Sequence, residues 1–280
     1  MDAKKESLGI PNFGPWYLEL LTNQDCTREI INIYGFLNSM IDSECIDVLK
    51  GNSINIQFIN YGRTQLVFVV TVDNEKKYTL LVDQPATMYG TGNEEFNNLK
   101  RLNQINPNIV IKPIDYYSNN NQELYITPYY YQSRCIGIEV KNWGMWIPEP
   151  IYHFEIFNDN QRNIINSTMV ALLISLYDEE NKKGIAKCRL DGGDFMLLKG
   201  FENNKIDFEN IYNNIKLIAA RKLIDISLDE YINRLRIELS NGIFLDDELS
   251  IIGKKLKNSL SNEEIETGIE LGLKLRKKNM

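Results

Sequence analysis

The stretch from Gly184 to Glu209, GIAKCRLDGGDFMLLKGFENNKIDFE, constrains this chain more than any other. A helix-like segment precedes it. Asp191-Gly192-Gly193-Asp194 reads as a tight polar turn, because Asp bonds its own backbone and Gly accepts positive φ. Phe195 to Leu198 then reads as an apolar strand, Gly200 and Asn203-Asn204 as a second turn, and a short second strand ends at Asp207-Phe208. Two carboxylates thirteen positions apart, Asp194 and Asp207, would therefore stand at the mouth of one hairpin and point into one cleft. Such a pair suits a divalent cation that bridges phosphate oxygens. Asp and Gly also make ordinary turns, so the rest of the chain has to decide between the two readings.

With 280 residues the chain can build one large domain or two modest ones. A net charge of -7 argues against a nucleic-acid or anionic-membrane partner. The C-terminal lysines and arginine (Lys254, Lys255, Lys257, Lys274, Arg276, Lys277, Lys278) are interleaved with acidic residues and read as a solvated helix face, a docking tail being the alternative. The four cysteines, Cys26, Cys45, Cys135 and Cys188, form no C-x-x-C pair, so neither zinc nor a disulfide framework is signalled. The first residues lack the apolar core of a signal peptide, and the longest apolar runs are too short to span a bilayer. These features lead us to expect a soluble, cytoplasmic protein with no membrane span. The single histidine, His153, excludes a histidine-based metal cluster and sits in a strand-like run as a structural residue.

Taken in order, residues 14–23 read as a short anchoring segment and Thr27 to Asp42 as an amphipathic helix. Three strands follow, around Ile54–Phe58, Leu66–Val72 and Tyr78–Val82, with turns at Asn60-Tyr61-Gly62 and Asp73-Asn74-Glu75. Gly92 to Ile105 has helical spacing, with Asn93 as its N-cap and Pro107 as its stop. Ile109–Tyr117 and Glu123–Tyr130 make two further strands. Residues 135–157 alternate like a hairpin, with Trp143 and Trp146 either packed in the core or facing a partner. A buried helix spans Gln161–Tyr177. Beyond Glu209 everything reads as helix: Tyr212–Ile224, then Leu228–Leu239 behind the capping pair Ser227/Glu230, then a last helix behind Ser261/Glu264.

A five-stranded lobe with one helix, followed by a helical lobe whose one hairpin carries two acidic residues, resembles the protein-kinase-like fold. The likeness looks closest to the small bacterial branch with aminoglycoside and choline-type phosphotransferases, and covers about residues 52–240. It implies an α+β, two-lobed fold: an N-terminal helical extension over 1–51, a kinase-like N-lobe over 52–132 and a helical C-lobe over 133–280. It also implies ATP or another nucleotide with Mg²⁺ as cofactor. Within the resemblance, Gly62 stands in the loop over the phosphates and Thr127 to Tyr129 at the hinge that would hold the adenine. Glu95 (or Glu94) matches the helix glutamate. Leu81 or a neighbour stands where the third strand should carry the phosphate-binding lysine. Arg189 falls where the catalytic aspartate belongs, Asp194 takes the place of the metal-binding asparagine, and Asp207-Phe208-Glu209 matches Asp-Phe-Gly.

The metal positions are thus filled while the base and the lysine are missing, and each missing group is worth about 2–4 kcal/mol to the reaction. The expectation is a pseudokinase-like regulator or scaffold with impaired or absent phosphotransfer, acting on an unknown protein partner. The alternative is a divergent phosphotransferase for a small-molecule acceptor, with Asp191 as base and Asp194 and Asp207 on the metal. An unrelated α+β binding protein is the third reading.

Overall fold

The computed structural model describes residues 36–37, 39–41, 43, 46–51, 53–61, 65–83, 92–119, 122–129, 135–140, 143–148, 157–186, 191–197, 206–241 and 259–279. The chain divides into two compact units. One comprises Met1–Phe96 and Pro113–Tyr129, the other Asn97–Lys112 and Tyr130–Met280. Asn97–Lys112 thus belongs with the second unit, although it falls within the 52–132 segment expected to form the first.

The first unit is built on β1 (Ile54–Tyr61), β2 (Gln65–Val72), β3 (Lys76–Asp83), β4 (Asp115–Asn119) and β5 (Gln122–Pro128), with helix α1 (Gly92–Ile105) leaving between β3 and β4. Sheet order is β1-β2-β3-β5-β4, and every neighbouring pair is antiparallel. Two-residue alternation produces this sheet: Leu66, Phe68, Val70 and Val72 share a buried face with Leu80 and Val82 of β3 and with Leu124 and Ile126 of β5. Helical residues Phe36, Leu37, Met40 and Ile41 complete that core. The β2–β3 turn places Asp73 and Asn74 at φ 52° and 59°, the left-handed conformation that Asp and Asn tolerate best after Gly.

Two expectations fail here. Asn93 is not the N-cap, because α1 already begins at Gly92. Its first backbone N–H groups are taken by strand carboxylates, Gly92 N donating to Asp83 Oδ2 and Asn93 N to Glu123 Oε2 at 2.9 Å. The fourth strand begins at Asp115, not Ile109, because Ile109–Ile111 is spent elsewhere, on backbone bonds to Leu217 in the second unit.

In the second unit β6 (Cys135–Val140) and β7 (Trp143–Pro148) form the expected hairpin, with Trp143 opposite Val140 and Trp146 opposite Gly137. Helix α2 (Asp159–Ser175) starts at a reciprocal cap between Asn158 and Gln161, and every residue from Ile165 to Ser175 is buried. Then come β8 (Lys183–Ala186), β9 (Asp191–Leu197), the single turn α3 (Ile211–Asn214), β10 (Ile215–Leu217), β11 (Lys222–Asp225), α4 (Leu228–Asn241) and α5 (Asn262–Asn279). They make a four-stranded sheet, β10-β9-β7-β6, and a two-stranded one, β11-β8.

The single helix expected over Tyr212–Ile224 is therefore replaced by one turn and two strands. Ile215 and Leu217 are buried with half-exposed Lys216 between them, the two-residue period of a strand. Among the described residues the unit holds two sheets, and the hairpin expected over 135–157 joins β9 and β10 in the larger one. The caps were read correctly: Ser227 Oγ accepts from Glu230 N at 3.3 Å, and Ser261 Oγ accepts from Glu264 N at 3.2 Å while donating to Glu264 Oε2 at 2.8 Å. Among the described residues no helix is long and apolar enough to cross a membrane.

A five-stranded antiparallel sheet interrupted by one helix, followed by a mainly helical unit with small sheets, is the kinase-like, α+β order of elements.

Candidate functional site

The second unit's site is organised by β9. Asp191 pairs with Gly144 and Met196 with Trp146, so residues 192–195 of β9 lie against the single residue Met145 of β7. The expected Asp191–Asp194 turn is thus an irregular stretch within an interior strand of the sheet. Directly after it Phe195 and Leu197 pair with Leu217 and Ile215 of β10, all four buried.

β10, not a strand ending at Asp207, is therefore the hairpin partner of β9. Asp207 lies exposed ahead of α3 and closes its own turn: its carboxylate accepts from Glu209 N (3.1 Å), Asn210 N (3.3 Å) and Asn210 Nδ2 (2.8 Å). The Asn210 side chain, more than any other group, holds this carboxyl below its usual range. The residues that do follow the second strand are Ile218-Ala219-Ala220-Arg221. Ala219 and Ala220 are both buried, and Asp207 does not end this strand.

Asp194 is 1% exposed. Its carboxylate meets the guanidinium of Arg221, Nη1 lying 2.8 Å from Oδ1 and 3.1 Å from Oδ2, and the arginine is itself buried at 8%. Its backbone carbonyl accepts from Ile218 N at 2.8 Å. A divalent cation would need the carboxylate oxygens that the guanidinium already contacts, and would bring a second positive charge against it in a low-dielectric setting. Asp194 and Asp207 do not fit a bridging magnesium. Of the other positions singled out in the sequence, Asp191 is placed by its backbone on β9, while Arg189 and Gly62 lie outside the described residues, as does His153.

In the first unit, Glu95 of α1 is 4% exposed and accepts from Gln65 Nε2 at 2.8 Å. An amide from β2 thus meets the glutamate that the resemblance would give to a lysine. Leu81 pairs in register with Val67 and Tyr125. Thr127 is buried on β5, and Tyr129 N is used in the sheet, donating to Lys77 O at 3.4 Å.

The same Gln65 amide also donates to Asp83 Oδ1 at 3.1 Å, bridging two carboxylates. Burial, reinforced by Glu123, pushes the Asp83 carboxyl up to about 6, against the opposing bonds from Gln65 and Gly92. A folded-state value above the ordinary 3.8 of the unfolded chain means that the fold takes up the proton more readily. Stability from this group is complete below the unfolded value and is lost as pH rises through about 6. Thermal melting from pH 4.5 to 7.5 should accordingly show a wild-type decline that Asp83→Asn flattens. Parallel profiles would remove Asp83 as its source.

Sequence reasoning missed Arg221, Gln65 and Asp83. Only Arg221 left a signal, the alternation of Ile215, Lys216 and Leu217 that points to a strand running into it.

No family model matches the chain, and no curated protein matches it. Solved structures of kinase domains do. A crystal structure of the BubR1 kinase domain is 14% identical, with a TM-score of 0.36, over 77% of this chain and 63% of that one. The autoinhibited serine kinase domain of the giant muscle protein titin is 12% identical, with a TM-score of 0.42, over 80% of this chain and 70% of that one. Titin kinase with its flanking domains is 11% identical, with a TM-score of 0.42, over 80% and 41% respectively. The chain spans less than two thirds of the first and third of these. Element order and sheet topology carry the kinase-like fold.

Proposed function

We propose that this chain is a kinase-fold protein that works by binding a protein partner and does not transfer phosphate. The observation that carries this is the buried Asp194–Arg221 pair, an internal cation on one of the two carboxylates expected to hold the metal. Phosphoryl transfer is catalysed almost entirely by positioning and by neutralising charge, largely through the metal. With a guanidinium in place of the metal at Asp194, what the fold offers on this reading is a surface.

Purified protein incubated with ATP or GTP and Mg²⁺ or Mn²⁺ should transfer no phosphate to itself or to generic acceptors, where active kinases turn over at about 1–100 per second. Its melting temperature should show no metal-dependent nucleotide shift. A ligand at about a hundred times its Kd would add roughly 2.7 kcal/mol, several degrees for a chain of this size. Turnover near one per second, or a metal-dependent shift abolished by Asp194→Asn, would overturn the proposal.

A further inference from the structure

Residues 218–221 join β10 to β11 and contain two alanines, a composition that would make a compliant linker. The structure instead ties it down at successive points. Ile218 N donates to Asp194 O at 2.8 Å, and Ala220 O accepts from Asn98 Nδ2 of α1 at 2.9 Å. Arg221 holds the Asp194 carboxylate, and the next residue, Lys222, pairs with Ala186 of β8.

The helix side of this contact is anchored just as densely. Arg101 Nε lies 3.6 Å from the Asp178 carboxylate, and the chain beyond the helix meets β10 through Ile111 N to Leu217 O (2.9 Å), Leu217 N to Ile109 O (2.7 Å) and Lys216 Nζ to Pro107 O (2.8 Å). Asn98 of α1 and residues 107–111 just beyond the helix are thus bonded to residues 216–220, which run directly into the buried Arg221–Asp194 ion pair. Opening one end exposes a desolvated charge at the other.

We propose that Arg221 is a built-in cation whose pairing with Asp194 locks residues 218–221 and the C-terminal half of α1 into one arrangement. This rests on the reading of the chain as a binding protein and deepens it: the helix is held in a fixed pose by a charge the chain supplies, and neither metal nor nucleotide is needed to set it. A packed segment with several independent anchors behaves as one cooperative unit.

Hydrogen exchange followed by mass spectrometry on the full chain tests this, comparing peptides over 97–105 and 215–222 in wild type, Asn98→Ala and Arg221→Met. In wild type both segments should exchange with similar protection, with or without Mg²⁺ and ATP. Either variant should accelerate exchange in both segments, by about tenfold or more. Acceleration confined to the segment that carries the substitution would overturn the lock, as would wild-type segments whose protection differs by more than about tenfold. If Arg221→Met does not fold, Asn98→Ala decides alone, since it removes only a half-buried amide. Phosphate transfer by a protein whose two segments still exchange together would sink the functional reading and leave the lock standing.

Discussion

Replacing Arg221 by Met should lower the unfolding free energy of the second unit by about 3–5 kcal/mol, one of the largest single losses available in this chain. Methionine matches the aliphatic stem, so packing changes little and the loss reports on charge. Asp194, at 1% exposure, would keep its negative charge in a site that water does not reach. Losing the guanidinium from that site costs several kcal/mol. Asp194→Asn should be costly for the mirror reason, leaving a buried guanidinium with a weaker acceptor. The double variant Asp194→Leu/Arg221→Met should recover much of the loss, because a buried pair contributes far less than either half costs when orphaned. Urea unfolding followed by circular dichroism measures all four proteins. A loss below about 1 kcal/mol for Arg221→Met would mean that the pair is screened as a surface pair is, and the site as described would be wrong.

How far the sequence led can be judged from particular residues. The β1–β3 meander was legible because its apolar residues alternate and its turn uses Asp73-Asn74, so the local pattern and the fold agree. The Ser261/Glu264 cap was legible for the same reason, since its two halves lie three residues apart. Misreadings occur where the partner is distant. Ile109–Ile111 looks like the start of a strand in the first unit, and only its bonds to Leu217 reveal where its apolar side chains are spent. Tyr212 to Ile224 reads as helix in the sequence because its apolar residues also fit a period near 3.6, a degeneracy that short runs do not resolve.

The site divides in the same way. Asp194 stands out in the sequence as a carboxylate opening an apolar strand. Its partner is 27 residues away, in a segment that looked helical, so the chemistry inferred for it was that of a metal ligand rather than half of an ion pair. Glu95 was found by its place in the helix, but the Gln65 amide that meets it comes from a strand 30 residues earlier.

The other large effect should come from the seam between α2 and α5. Glu264, Gly268, Gly272 and Arg276 recur every four residues and lay one stripe of α5 along α2. At one end Asn166 Nδ2 donates to Glu264 Oε1 at 2.6 Å, and at the other Arg276 Nη1 donates to Tyr177 O at 2.6 Å, so the two helices run parallel. Between these anchors the backbones come too close for any side chain. A β-carbon at Gly268 would stand 2.5 Å from Val170 Cβ and 2.6 Å from Ser167 O, and one at Gly272 would stand 2.6 Å from Ile174 Cβ. Gly268→Leu gains about 0.8 kcal/mol of helix propensity. Against this, the obstacle includes a backbone carbonyl of a fully packed helix, which cannot rotate aside, so overpacking should cost about 3 kcal/mol or more. The net loss of roughly 2 kcal/mol should lower the melting temperature by about 4–8 °C. Glu270→Leu, on the exposed side of the same helix, should change it little. If Gly268→Leu instead melts with wild type, α5 does not lie on α2 along this stripe, and the second unit would have to bury α2 by some other means.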